Sequence, residues 1–192
     1  QTDGGAPSTG EQIEQARLRA TQAGVSNVTY LPIGVEELEH VEGEFDYIIC
    51  HGLLSWIPPE AQEATFELCA RRLSPQGIAY ISYNTYPRWL QNRYVRDVLR
   101  WRGRHLKPEE SFEREARNAL SLFARYASPL GAGAPRALFA EAEQNLKGRP
   151  DYYLAHEYLL DENHPYYFHE FIERIAQAGG ESSHGLCYLT EA

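Results

Sequence analysis

Two short, almost unbroken apolar runs, FDYIICHG and GIAYISYN, stand on either side of one helix-length segment, and they constrain this chain more than any other feature. A strand that is apolar on both faces must be covered on both, as strands are in a parallel sheet flanked by helices. The intervening PPEAQEATFELCARRLSP opens on Pro58-Pro59 and carries Ala61, Ala64, Phe66, Leu68, Cys69 and Leu73 as a broad apolar stripe, with Pro75 forcing its end. Upstream, Ile13, Ala16, Ala20 and Ala23 recur at three-and-four spacing before Gly24, which predicts a helix from Glu11 to Ala23. The β-branched and aromatic run NVTYLPI, between Asn27 and Gly34, then predicts a strand. Helix, strand, strand, helix, strand makes the first half α/β.

After Pro87 the pattern changes. WLQNRYVRDVLRW places Leu90, Tyr94, Val98 and Trp101 on one helical stripe, and SFEREARNALSLFARYA, PRALFAEAEQNLK and PYYFHEFIERIAQA continue as helices separated by SPLGAGA and GRPD. The periodicity is interrupted at GRHLKP, so the boundary falls near Gly103 to Pro108 and separates residues 1–105 from 106–192.

The chain has 192 residues, of which 43% are hydrophobic and 12% aromatic, which is enough to bury a core and too aromatic for a disordered chain. No run approaches the roughly 20 apolar residues of a membrane helix. A net charge of -9 argues against nucleic acid as a partner. The local exception, with Arg88, Arg93, Arg96, Arg100, Arg102 and Arg104, reads as a solvated helix face. The three cysteines, Cys50, Cys69 and Cys187, have no CxxC spacing, so a cytoplasmic setting is expected. There is no methionine, and QTDGGAPSTG offers nothing to bury, so the chain is expected to be a fragment of a longer one.

In an open α/β sheet, ligands bind beyond the carboxyl ends of the strands. The residues there are Gly34-Val35-Glu36, His51-Gly52 with Ser55 and Trp56 following, and Tyr83-Asn84-Thr85-Tyr86 before Pro87. A histidine, a hydroxyl and an indole within six residues are more than a connecting loop needs. Tyr83, Asn84 and Tyr86 add an amide and two phenols suited to a pocket for a small polar or cationic group.

The segments QIEQARLRATQAGVSNVTYLP, FDYIICHGLLSWIP and ARRLSPQGIAYISYNTYPRW resemble the second half of a class I S-adenosylmethionine-dependent methyltransferase. HGLLSWIP and SYNTYP are similar to bacterial methyltransferases with a methyltransferase regulatory domain, a group that includes protein-lysine methyltransferases. DYYLAHEYLLDENHPYYFHEFIERIAQ and HGLCYLTEA resemble that regulatory domain, so the resemblance runs from Glu11 to the C-terminus. It implies an α/β fold: the C-terminal part of a Rossmann-like methyltransferase sheet over 1–105, followed by an α-helical regulatory domain over 106–192. It also implies S-adenosylmethionine as cofactor and methyl transfer to a protein lysine, with a small molecule or another nitrogen or oxygen acceptor as the alternative. Gly34, Val35 and Glu36 would lie against the adenine, His51 and Gly52 beside the methionine part, and Trp56, Tyr83, Asn84 and Tyr86 toward the acceptor. In such enzymes methyl transfer is in line from a sulfonium to a lone pair, so positioning supplies much of the rate and no dedicated base is named.

The chain departs from the family pattern in five respects. The glycine-rich cofactor loop, the two strands around it and the acidic residue that holds the ribose are not in this sequence, and Asp3 is no substitute for that acid. Gly34 stands where an aspartate commonly meets the adenine. Arg88 stands where a glycine would follow SYNTYP. The chain is therefore expected to be an incomplete catalytic unit, and the competing reading is a non-catalytic regulatory or protein-binding module.

No metal site is expected, because His156-Glu157 and His169-Glu170 are adjacent pairs without the spacing that a helix needs to bring two ligands to one ion. Cys50 and His51, neighbours on a strand, point to opposite faces and cannot act as a nucleophile and base pair.

Overall fold

A computed structural model of the chain describes residues 9–105, 111–126, 133–179 and 187–188. Asp3, the SPLGAGA loop before residue 133, most of HGLCYLTEA and the centre of the 103–108 boundary lie outside the described residues. The elements are α1 (Thr9–Gln22), a 3-10 turn (Val35–His40), β1 (Phe45–Cys50), a second 3-10 turn (Leu54–Trp56), α2 (Pro59–Arg72) and β2 (Leu73–Ile81). Then follow α3 (Trp89–Gly103), α4 (Phe112–Tyr126), α5 (Gly133–Leu146), α6 (Asp151–Leu154) with a π-helical turn (Ala155–Leu159), α7 (Phe168–Gly179) and β3 (Cys187–Tyr188). The sheet order is β1-β2-β3, and β3 runs parallel to β2 with Tyr80 opposite Cys187 and Ile81 opposite Tyr188. The fold is α/β, as expected, with a helical second half.

The run NVTYLPI forms no strand. Residues 27–33 are irregular, and Val28 (48% exposed) and Leu31 (51% exposed) sit in solvent. A strand is stable only where a neighbour takes up its backbone N–H and C=O groups. Among the described residues no ladder is offered to this one. Pro75 also behaves differently from expectation. α2 ends at Arg72, and Pro75 lies inside β2.

The chain divides into two compact units. The first takes residues 1–48, 59–79 and 174–186. In it α2 buries Ala61, Gln62, Thr65, Phe66 and Cys69 and packs against the first 3-10 turn. Ser74 Oγ donates to Asp46 Oδ1 at 2.9 Å, and Arg174 pairs with Glu63. Gly77 is required by a close approach: a Cβ there would lie 2.9 Å from the carbonyl oxygen of Phe45 and 2.8 Å from Leu73.

The second unit takes residues 49–58, 80–173 and 187–192. Its core is helical. α4 repeats apolar residues at three-and-four spacing and buries Ala116, Ala119, Leu120 and Ala124 against α5, where Phe139, Ala142 and Leu146 face them. Burying a leucine such as Leu120 contributes about 1.5–3 kcal/mol. Ser111 starts α4, its Oγ accepting the backbone N–H of Arg114 at 3.3 Å. Arg117 ends α5 by donating to the carbonyls of Leu146 (3.1 Å) and Arg149 (2.7 Å) while holding Asp151 at 2.9 Å. The π turn is closed by the N–H of Leu160 on the carbonyl of Ala155 at 3.1 Å, five residues back.

Candidate functional site

Two strand ends meet in the second unit. Past Cys50 the chain turns through Gly52 at φ +65°, a left-handed conformation that costs a residue with a Cβ energy and glycine nothing. Ser82, just beyond β2, ties this turn down. Its N–H donates to the Cys50 carbonyl at 3.0 Å, and its Oγ accepts the Gly52 N–H at 2.7 Å. The same Oγ lies 3.0 Å from His51 Nδ1, and the Tyr80 hydroxyl lies 3.3 Å from that nitrogen. With two hydroxyls converging on Nδ1, we assign that atom as the acceptor, which leaves the neutral ring's proton on Nε2. A Cβ built on Gly52 meets nothing within 4 Å, so the backbone there borders open space.

The second loop is held by Ser55, which is 1% exposed. Its Oγ accepts the N–H of Asn84 at 2.8 Å, and its carbonyl accepts the N–H of His164 at 2.7 Å. Tyr166 continues the seam: its N–H donates to Asn84 (3.1 Å), its carbonyl accepts from Tyr86 (2.9 Å), and it bridges Thr85 in parallel. The Tyr86–Pro87 peptide is cis. The side-chain Nδ2 of Asn84 is buried with no acceptor.

The predicted aromatic residues occupy different environments. Tyr83 is 4% exposed and stacks on Phe171, with ring centres 4.1 Å apart and planes at 22°. Tyr86 is half-buried. Its hydroxyl accepts from Arg93 at 3.0 Å, a bond that holds the Arg93 guanidinium above its ordinary pKa, and its ring lies 5.2 Å from that of Tyr167. Trp56 stands edge-on to Trp89 at 5.9 Å and meets the ring of His156 at 4.7 Å and the guanidinium of Arg96 at 5.4 Å. Trp89 Nε1 donates to Asn163 Oδ1 at 2.7 Å. Farther along the chain, Tyr158 and Tyr166 are core residues, whereas Tyr152 is 77% and Phe168 51% exposed.

Arg96 corrects the reading of the arginine-rich helix as a solvated face. It is 3% exposed, and its Nη atoms donate to the carbonyls of Glu157 and, at 2.7 Å, Leu160, at the end of the π turn. Burial, and then repulsion from Arg100, lower its pKa to about 10. His156 is also lowered, by burial first and by Arg96 second. Burial pushes the Cys50 thiol up and out of the range of a ready nucleophile.

Gly34, Val35 and Glu36 belong to the first unit. Gly34 N–H donates to Glu37 Oε2 at 2.9 Å, and Val35 and Glu36 begin the 3-10 turn that packs on α2. Sequence reading identified the two unusual loops but not what holds them. Ser82, Arg96, Asn163 and His164 act through the main chain or through a single side chain. Such bonds leave no periodic trace, although a hydroxyl inside the apolar LLSW was a signal for Ser55.

Comparison with known proteins follows this architecture. A family model described as a methyltransferase domain matches residues 8–77, and one described as a predicted methyltransferase regulatory domain matches residues 150–192. RP789 of Rickettsia prowazekii is 35% identical over 94% of this chain and 31% of its own length. RP028 of the same organism is 34% identical over 85% of this chain and 65% of its own length. A Synechocystis protein, sll1526, is 31% identical over 86% of the chain and 33% of its own length. The chain thus spans between about a third and two thirds of these relatives. Two solved structures of PKMT2 from Rickettsia typhi cover 88% of this chain and 31% of their own. One has a TM-score of 0.71 at 30% identity; the other, in complex with AdoHcy, has 0.72 at 28%. In sequence and in fold, the chain is similar to bacterial methyltransferases that carry a methyltransferase regulatory domain.

Proposed function

We propose that the protein to which this chain belongs transfers a methyl group from S-adenosylmethionine to a lysine of a protein acceptor. The observation that carries this reading is the likeness, over 88% of the chain, to a solved structure in complex with AdoHcy, the demethylated form of that cofactor. Lysine is the acceptor class of the protein-lysine methyltransferases that HGLLSWIP and SYNTYP resemble, and a net charge of -9 suits a basic acceptor segment. Cys50 and Cys69, buried and in no disulfide, support a cytoplasmic setting. We assign 1–105 to the partial Rossmann-like domain and 106–192 to the regulatory domain.

The residues present fit the cofactor. Gly52 offers backbone with open space where a Cβ would stand, and the ring of His51 beside it is oriented through Nδ1 by Ser82 and Tyr80. His51 and Gly52 would hold the methionine part. Bound there, the cofactor supplies a methyl group on a sulfonium. Trp56, Tyr83, Asn84 and Tyr86 serve the acceptor side: the seam through Ser55 and Tyr166 ties together the two loops that bear them, so little ordering remains when an acceptor arrives.

The test is incubation of the full-length gene product with S-adenosylmethionine labelled in its methyl group and with protein acceptors, followed by mass spectrometry. Methyl-lysine is the expected product. Label on another residue type overturns the lysine assignment, and transfer to no acceptor by a folded protein overturns the enzyme reading in favour of a binding module.

A further inference from the structure

The helical unit contains a cavity of about 340 Å³ walled by Asn84, Arg88, Asn92, Asn145, Arg149 and Glu157, among others. That volume is at the low end for sites that hold small molecules. The charges on its wall do not cancel. Arg88 is engaged by Glu141 at 2.6 Å and by Gln91. The charge of Glu157 favours the buried Arg96, which binds its carbonyl. Arg149 lies over the ring of Tyr153, 5.0 Å from its centre, and no carboxylate pairs with it among the described residues. In a chain with 27 acidic residues against 18 basic ones, an arginine on a cavity wall without an acid is conspicuous. Asn84 adds a second unmet demand, since its buried Nδ2 has no acceptor. A buried donor left in that state is destabilising until an acceptor reaches it.

We infer that this cavity binds a compact monocarboxylate, with Arg149 as its counter-charge and the carboxamides of Asn84, Asn92 and Asn145 as its hydrogen-bonding groups. A guanidinium donates two parallel N–H groups to the two oxygens of a carboxylate, and amide donors beside it add charge-assisted bonds. Glu157 on the same wall selects against a dianion, which disfavours phosphate. The carboxylate can come from a free metabolite or from an aspartate or glutamate side chain of the protein acceptor. Only the second source rests on the methyl-transfer reading.

Titration of the 192-residue chain, followed through its asparagine side-chain amide signals by NMR, tests this inference. The probes are propionate, the glutamate unit N-acetyl-glutamic acid N-methylamide, its uncharged glutamine counterpart, and inorganic phosphate. Saturable shifts with a carboxylate probe, weakened about tenfold by Arg149→Gln, are expected. Asn92→Leu should weaken them as well, with the backbone spectrum otherwise unchanged. Binding of the glutamate unit about tenfold tighter than propionate assigns the site to an acidic side chain, and comparable binding assigns it to a free carboxylate. No saturable shift, equal shifts with the glutamine counterpart or phosphate, or indifference to both substitutions overturns the inference. Because no methyl transfer is measured, failure here leaves the proposed activity standing, and failure of that activity leaves this site standing.

Discussion

The backbone N–H of Asn84 donates to the buried hydroxyl of Ser55 at 2.8 Å, so one loop of the site is the other loop's hydrogen-bond acceptor. Ser55→Ala removes the hydroxyl that accepts this N–H without altering packing volume much. The expected cost is about 1–3 kcal/mol, the penalty for leaving a buried donor unmet. Chemical denaturation measures it, and hydrogen exchange at Asn84 should accelerate; an unchanged midpoint and exchange rate would contradict the role given to Ser55.

Gly52 separates conformational strain from crowding. A Cβ there touches nothing, yet φ is +65°. Gly52→Ala should therefore destabilise the protein by about 1–2 kcal/mol, and Gly52→Asn by less, because asparagine tolerates the left-handed region. If both variants were equally stable to wild type in thermal denaturation, the turn would have to relax out of that region.

Arg96 fastens α3 to the end of the π turn through two carbonyls. Arg96→Ala should cost about 3 kcal/mol, since charge-assisted bonds are lost and buried carbonyls are left bare. Arg96→Lys should recover part of it, because an ammonium lacks the fork that reaches both oxygens. Urea denaturation of the three proteins orders them, and full recovery by lysine would show that charge alone matters.

The pH response follows from His156, whose pKa is held below its ordinary 6.5 by partial desolvation first and by the neighbouring Arg96 charge second. As pH falls through 6.5 the unfolded chain takes up a proton that the folded protein still refuses, so the folded state loses stability. The loss proceeds until the lowered folded pKa is passed, and above pH 6.5 this group contributes no slope. His156→Gln should remove that component from a stability profile followed by tryptophan fluorescence. A wild-type slope that persists in the variant assigns the effect to other groups.

Kinetics of the full-length protein distinguish the two sides of the site. Tyr83→Phe and Asn84→Ala should lower kcat more than they weaken S-adenosylmethionine binding, whereas His51→Ala should weaken cofactor binding first. Equal changes in both quantities for all three variants would refute that division of roles.

The helices of this chain were legible because their stripes repeat: α1, α2, α3 and α4 each stand within a few residues of where Ile13, Phe66, Val98 and Leu120 predicted them. The run at Val28 misled because strand propensity is only half of a strand, the other half being a neighbour. The π turn at Ala155–Leu159 was missed because DYYLAHEYL carries aromatics on all sides and no stripe. Arg96 could not be told from its five arginine neighbours, since charge pattern does not show which one has carbonyls waiting. The loops at His51 and Tyr83 were recognised by composition, but Tyr83 proved to be stacked in the core, where its ring meets Phe171.

The seam between His164, Tyr166 and the loops at Ser55 and Asn84 runs almost wholly through main-chain atoms. Pro165, which has no N–H of its own, stands between the two donors. Joints of this kind do not depend on which side chains flank them. Exposed positions such as Leu160 and Asp161 can therefore change while the splice endures. The segment matched as a regulatory domain can thus change at its exposed positions without loosening its grip on the loop at Asn84.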